Sequence, residues 1–379
     1  MNRLNAYKQI LGIVISGSVT GNFSALGRVS VKRKEDNWKN LYILNYTAEA
    51  QYGGNMTEIE EVCRGLIIDV ENCCIAAIPF PKFYNWGENS HWQTVVGNYQ
   101  LKHVIEKCDG SLGISYLDMD GLLSIATRGS FNSEQAIWAT DWIQRHLTPK
   151  QLGADLFRDF TLLFEIIYPE NRIVVDYKGR EELVLLGMID NKFGKELSES
   201  TVNYTAAQLG ISRPKAYGFT DTDSILKVLP DLSSNEEGYV AIFEDPRNSH
   251  SRLRFKFKGS QYVELHRVIS GFSKKNFFEA WLKGDIESVT ALVASNDELR
   301  QQAIDWESEF DFANAHLEYQ VELQYQNVLA IIPGSYTRKE FADCNLQMNK
   351  EIAPLVFNRH DMKVDSKSFN KILATRVGL

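Results

Sequence analysis

The chain has no apolar run long enough to span a bilayer. The stretch Ile10 to Ser16 is far shorter than the roughly twenty residues a spanning helix needs, and no small-residue cleavage pattern follows it. Cysteine is scarce. Its five copies, two of them adjacent at Cys73 and Cys74, do not make a secreted disulfide framework, so a soluble protein in a reducing cytoplasm is expected. The seven histidines are scattered, and no Cys/His spacing points to structural zinc. Positive charge is not in excess either. A formal net charge of -8 excludes a generic nucleic-acid coat, because phosphate affinity comes from clustered Lys and Arg; any nucleic-acid contact must be a local patch. Internal repeats, low-complexity tracts and Gly-, Pro- or Ser-rich spacers are missing as well.

What is present can build a substantial core. Hydrophobic residues make up 44% of the 379 positions and aromatics 11%, which argues against wholesale disorder and, at this length, for two domains. From about Gly53 to Lys258 the sequence reads as short β-rich runs broken by Gly and Asp turns. LGISYLDMDGLLSIAT has the form of a hairpin with its turn after Leu117, and RLRFKFK alternates strictly. Helices are expected at Ser133 to His146, with a buried stripe of Ala136, Ile137, Trp142 and Ile143, and near Thr201 to Leu209.

After Lys258 the texture changes. Residues 251–283 carry a balance of +6 and residues 284–330 a balance of -9. Leu299, Ala303, Trp306, Phe310, Ala313, Leu317, Val321, Gln324 and Val328 recur at spacings of three and four, as one long amphipathic helix requires. A second helix is expected to start at the capping box Thr337 to Glu340. The expected fold class is α+β, with a domain of antiparallel sheets and flanking helices over 1–260 and a smaller helical domain over 261–379.

Five short stretches carry the chemistry: KCDGS (Lys107–Ser111), FEIIYPENRIV (Phe164–Val174), LVLLGMID (Leu183–Asp190), EGYVA (Glu237–Ala241) and KFK (Lys256–Lys258). Singly they are weak. K-x-D-G is common as a surface turn, and RLRFKFK is by default a half-buried strand with a solvated basic face. Glu165 is more telling, because a carboxylate inside the apolar run Leu162 to Ile167 is costly unless partnered.

In this order the set resembles the covalent nucleotidyltransferases, and within them the phage-type RNA ligase 1 family. VCRGLIIDV around Arg64, PKFYN around Lys82, RGSFNSEQA from Arg128, NRIVV after the central Glu and YVELHR after K-x-K add to the likeness. It runs from about Val62 to Arg267 and fades at both ends. The resemblance implies Lys107 as the nucleophile that accepts AMP, with Asp109 and Gly110 in the supporting loop. It also implies Arg64 near ribose and phosphates, Lys82 near the leaving pyrophosphate or an RNA 5′-phosphate, and Glu165 at the ribose hydroxyls. Glu237 is expected at a catalytic metal, Lys256 and Lys258 at the α-phosphate, and Glu106 at the adenine amino group. Cys108 reads as a packing residue. Arg128 stands where some relatives have Lys, so its role is less defined than its charge.

A lysine must lose its proton to attack. On an alternating strand Lys256 and Lys258 share a face, and if that face borders Lys107 the two cations are expected to lower its pKa. The implied activity is ATP-dependent joining of RNA 3′-hydroxyl and 5′-phosphate ends, with magnesium as cofactor, RNA such as a broken tRNA loop as partner, and no membrane or protein partner. Two alternatives stand beside it. One is a nick-sealing ligase or capping enzyme, whose β-barrel tail the helical pattern here disfavours. The other is an inactive protein holding RNA ends through Arg252, Arg254 and the Lys274-Lys275 pair.

Overall fold

The computed structural model describes residues 3–34, 41–118, 121–148, 151, 156–293, 297–363 and 365–379. The chain divides into two compact units, Met1–Leu265 and His266–Leu379. Among the described residues no helix is long and apolar enough to cross a membrane.

The first unit is built on three sheets. One runs in order β1 (Val29–Arg33), β2 (Leu41–Tyr46), β3 (Arg64–Asp69), β4 (Cys74–Ala77). The second comprises β7 (Ser111–Leu117), β8 (Leu123–Ala126), β9 (Phe160–Ile167) and β10 (Glu182–Asp190), in order β10-β9-β7-β8. The third comprises β5 (Tyr84–Asn85), β6 (Gln100–Glu106), β11 (Ala216–Tyr217), β12 (Gly238–Asp245) and β13 (Asn248–Lys258), in order β11-β6-β12-β13-β5. Every pairing is antiparallel except the short parallel contact of β13 with β5.

The sequence of β9, FTLLFEII, is apolar on both faces because both are covered. Leu163 packs with sheet one and the N-terminal helix α1 (Arg3–Thr20). Leu162, Phe164 and Ile166 pack beneath α2 (Glu134–His146) and α3 (Glu199–Leu209). Glu165 has the parity of Leu163, so the alternation of a strand turns it away from that helical layer. The α2 stripe differs from the expected one: Ala136, Ala139 and Ile143 are buried, whereas Ile137 is 59% exposed. Small alanines let the helix lie close to β8, and Ile137 falls on the outer side. In the β7–β8 hairpin Asp118 N donates to Leu122 O at 2.9 Å, while Met119 and Asp120 of the expected turn lie outside the described residues.

On β13, Leu253, Phe255 and Phe257 enter a core with Tyr84, Trp92, Tyr239 and Phe243. Arg252, Arg254, Lys256 and Lys258 therefore share the opposite face. That face is not solvated. Arg252 and Arg254 are buried, and Lys256 and Lys258 are partly so.

The second unit is helical. Its longest helix, α4 (Asp297–Ile331), buries Ala303, Phe310, Leu317, Val321, Gln324 and Val328, the three-and-four pattern legible in the sequence. Around it pack Phe277, Phe278, Phe341, Ile352, Leu355, Val356 and Leu373. Thr337 and Glu340 form the capping box that starts the helix Arg338–Leu346, with Thr337 N donating to Glu340 Oε2 at 2.7 Å.

Candidate active site

Lys107 follows directly on β6, and its backbone N–H donates to Gly238 O at 2.9 Å, which stitches the KCDGS loop to the EGYVA strand. Gly238 in turn pairs with Lys258 in the β12–β13 register. Its φ of +132° and a Cβ that would stand 2.0 Å from Phe257 O explain why this position is glycine. These backbone contacts bring three charged side chains together. Glu237, only 3% exposed, receives Lys107 Nζ on Oε2 at 2.6 Å and Lys258 Nζ on Oε1 at 2.9 Å.

Asp109 braces the loop rather than facing the open site. Its Oδ2 accepts from Val174 N (2.8 Å) and Val175 N (2.9 Å), its Oδ1 from the Tyr262 hydroxyl (2.8 Å), and its own N–H donates to the Tyr177 hydroxyl (2.7 Å). Gly110 N donates to Glu165 Oε1 at 2.9 Å, and a Cβ at Gly110 would lie 2.4 Å from Ile166 O, so the loop closes onto β9 only with glycine there. Asn171 of NRIVV completes the brace, donating to Ile166 O at 2.7 Å and accepting from Ser111 Oγ at 2.9 Å.

Arg64, Lys82, Arg128 and Lys256 form a second group, held on aromatic rings. Lys82 stands over Tyr46 (5.4 Å) and Tyr84 (5.0 Å), Arg128 over Tyr46 (5.2 Å), Lys256 over Phe83 (4.8 Å) and Arg64 over Phe83 (5.7 Å). None of the four makes an ion pair among the described residues, and Arg64 Nη1 is buried without a hydrogen-bond partner. Buried polar groups are normally satisfied, so this arrangement suits binding of an anion. Lys107 also borders a narrow cleft in which Val175, Tyr177, Tyr217, Leu232 and Tyr239 stand beside the polar Glu106, Asn235 and Glu236.

The titration pattern reverses one expectation. Burial opposes the Lys107 ammonium, but the carboxylates of Glu237, Glu165 and Asp109 outweigh it and hold the pKa above the usual lysine value. Glu237 lies between Lys107 and Lys258, so the charge of Lys258 is compensated and does not simply repel Lys107. The depressed lysine is Lys256, pushed down to about 7 by burial and then by Arg64, Lys107, Lys258 and Lys82. Glu165 is pushed up to about 7 by burial and Glu237, against the pull of Lys107. Burial also raises the Cys108 thiol, which packs with Ile167 and Val184 as an inert side chain.

Arg252 and Arg254 do not border this site. Arg252 pairs with Glu244 at 2.6 Å and donates to Leu197 O at 2.7 Å; Arg254 pairs with Glu196 and lies 4.1 Å from the Phe80 ring. Their burial removes the solvated-face reading of β13 and commits both guanidiniums to carboxylate partners, and Lys274 of the pair in the second unit is bonded to Glu309 at 2.8 Å. Tyr46, Tyr177 and Tyr262 were not picked from the sequence. Tyr262 had a signal, since it stands in YVELHR four residues after Lys258; Tyr46 had none.

No group of three or more His, Cys, Asp or Glu able to hold a metal occurs among the described residues. The carboxylates that act most strongly on Lys107, Glu237 and Glu165, are of the kind that suits an ion taking one or two protein ligands and filling its shell with phosphate oxygens, as magnesium does.

Residues 62–262 match the sequence profile of the RNA ligase family. A polynucleotide kinase/RNA ligase assigned to Autographa californica nuclear polyhedrosis virus is 26% identical over 261 residues, which cover 63% of this chain and 35% of that protein. The RNA ligase of Rhodothermus phage RM378 is 22% identical over 352 residues, 74% of this chain and 77% of the phage protein. Among solved structures, an archaeal ATP-dependent RNA ligase aligns over 79% of each chain at 15% identity, with a TM-score of 0.48. The chain thus spans about a third of the viral relative's length. With more than half of its residues inside the family profile, the chain belongs to the RNA ligase family of the phage RNA ligase 1 type.

Proposed function

We propose that the protein is an ATP-dependent RNA ligase that joins RNA 3′-hydroxyl and 5′-phosphate ends through lysyl-AMP and RNA-adenylate, in repair of broken RNA such as tRNA loops. The observation that carries this reading is the position of Lys107, bordering a cleft with aromatic walls and acting electrostatically on Lys256, one of four cations that make no ion pair among the described residues. In this reading the cleft edge takes the adenine, with Glu106 placed to accept from the amino group. Glu165 faces the ribose hydroxyls, Arg64, Lys256 and Lys258 the phosphates, and Lys82 and Arg128 the leaving pyrophosphate or an incoming RNA 5′-phosphate.

Glu237 is the residue that would hold a magnesium ion, whose contribution is to neutralise phosphate charge. In the structure both of its oxygens are taken by Lys107 and Lys258, so the nucleophile is held in its protonated form. When Glu237 lets go, Lys107 is left buried near Lys256 and Lys258, surroundings that favour the neutral amine. Its Nζ then attacks the α-phosphorus: an N–P bond forms, the P–O bond to pyrophosphate breaks, and Nζ gives up its proton. AMP passes next to an RNA 5′-phosphate, and attack by an RNA 3′-hydroxyl expels it. Positioning and charge neutralisation are the protein's main contributions.

In the same reading Met1–Leu265 is the nucleotidyltransferase domain and His266–Leu379 a helical accessory domain, and five cysteines that form no disulfide suit a cytoplasmic protein. Labelled ATP tests the reading. The protein should acquire an acid-stable, hydroxylamine-labile AMP that Lys107→Ala abolishes, while Lys107→Ala still joins RNA supplied already adenylylated. Label retained on Lys107→Ala places the covalent site elsewhere.

A further inference from the structure

The strand β13 carries Lys256 and Lys258 at one end and, at the other, borders a cavity of about 610 Å³ that the nucleotidyl-transfer chemistry does not use. Arg3, Trp92, Tyr99, Phe193, Lys195 and His250 are among its lining residues. A volume of this size suits a ligand pocket. The character of the lining narrows the ligand. Its one acid, Glu196, is committed to Arg254. Arg3 and Lys195 make no ion pair among the described residues. Lys192 and Lys195 stand over the Phe193 ring at 5.3 and 5.6 Å, and that ring is 47% exposed. The Tyr99 hydroxyl lies 2.8 Å from Ser251 Oγ, which fixes its ring in the wall. Cations for phosphate together with aromatic faces for bases are what single-stranded nucleic acid requires.

Continuity with the reaction centre favours RNA over an unrelated ligand. A narrower cavity shares Arg3, Trp92 and Arg252 with the large one and is also lined by Lys82, Phe83 and Tyr84 of the cation cluster. From Lys256 to His250 the strand advances about 20 Å at a rise of about 3.4 Å per residue. A stacked nucleic-acid strand covers that distance in about six nucleotides, and an extended one in fewer. In a chain of net charge -8 such a patch is a local feature, not a consequence of overall basicity.

We propose that this cavity is a second RNA subsite, which holds the strand whose 5′-phosphate lies at Lys82, a few nucleotides from the ends being joined. The proposal rests on the ligase reading and extends it to substrate length. The enzyme gains affinity from RNA long enough to reach Lys195 and Phe193, whereas a very short 5′-phosphorylated RNA engages only the reaction centre.

The test uses the full chain with 5′-monophosphorylated, 3′-fluorescein RNAs of three and twelve nucleotides, read by anisotropy across a salt series. Compared with wild type, the double variant Arg3→Glu, Lys195→Glu should bind the twelve-mer at least tenfold more weakly and the three-mer equally well. Its slope of log affinity against log salt should be shallower by about 1.4, since each lost single-strand phosphate contact removes about 0.7. Phe193→Ala should weaken twelve-mer binding without changing the slope. AMP labelling of Lys107 should be unchanged in both. Equal losses on both RNAs, or none on the twelve-mer, overturn the subsite and leave the cavity to another ligand. If the double variant melts early, Phe193→Ala and Lys195→Gln decide the matter by the same two-length comparison. Wild-type protein that takes no label from ATP refutes the ligase reading by itself, and the anisotropy comparison still reports on the subsite.

Discussion

Lys256 should act against the stability of the fold it serves. It is largely buried, has no ion pair among the described residues and faces Arg64, Lys107, Lys258 and Lys82, so its pKa falls from 10.5 to about 7. At about 1.4 kcal/mol per pKa unit, a displacement of this size is on the order of 4–5 kcal/mol against the charged form. The sign follows from proton linkage. Below about pH 7 both folded and unfolded chains carry the proton and the full cost is present. Between about 7 and 10.5 the unfolded chain binds more protons than the folded one, so stability rises with pH until the cost is gone.

Lys256→Met keeps an unbranched side chain over Phe83 and removes the ammonium. The variant should therefore be more stable than wild type at pH 7, and its advantage should shrink by about 2 kcal/mol between pH 7 and 9, because only wild type gains from deprotonation. Urea melts of both proteins at pH 6, 7 and 9 measure this, and comparing them cancels groups common to the two. The same variant should take no label from ATP, and added pyrophosphate should stabilise it less than wild type. A variant less stable than wild type at pH 7, or an advantage that does not change with pH, would refute the picture of an unpaired ammonium held for an anion.

Arg252→Ala should do the opposite, lowering stability by about 3–5 kcal/mol by stranding Glu244 in a buried pair, while the folded fraction still takes label from ATP. Urea melts run beside labelling separate the two effects, and a loss of labelling without a loss of stability would move Arg252 into the site. Glu165 is pushed up to about 7, so it ionises only as pH rises through neutrality; labelling should show an acid limb near pH 7 that Glu165→Gln removes while slowing the reaction. Glu237→Gln should abolish labelling by ATP yet make Lys107 more reactive toward a general amine acylating reagent at pH 8, because the carboxylate that keeps it protonated is gone. Peptide mass spectrometry of the acylated protein reads this directly, and slower acylation of Lys107 in the variant sinks the argument.

The motif stretches were legible as an ordered set, and backbone register brings them together. Gly238 opposite Lys258 and Lys107 bonded to Gly238 make three distant stretches adjacent. The long helix Asp297–Ile331 was legible for a different reason, an unbroken three-and-four spacing from Leu299 to Val328, about eight helical turns. What escaped depended on partners far away in the chain. The direction of the Lys107 pKa turns on Glu237, whose carboxylate lies between two lysines only after β12 and β13 pair. Arg252 and Arg254 look like their neighbours Lys256 and Lys258 until Glu196, Glu199 and Glu244 are seen beside them. Ile137 looked like core because it is isoleucine, yet α2 turns alanines inward and leaves it outside.

The four basic positions of β13 thus divide into two jobs that no local rule distinguishes. Arg252 and Arg254 are compensated by carboxylates and hold sheet three against its surroundings. Lys258 is compensated by Glu237, and Lys256 by nothing the chain itself supplies among the described residues. Charge without a partner in a buried place is costly to a fold, and a protein retains it where a ligand completes the pairing. On the proposed reading, a polyphosphate entering beside Lys107 would relieve Lys256, Arg64, Lys82 and Arg128 together. Were Glu237 taken by a divalent cation arriving with it, Lys107 would be released from the carboxylate that keeps it protonated. On that reading, binding of the metal-bound nucleotide and deprotonation of Lys107 would be coupled, each favouring the other by the same free energy.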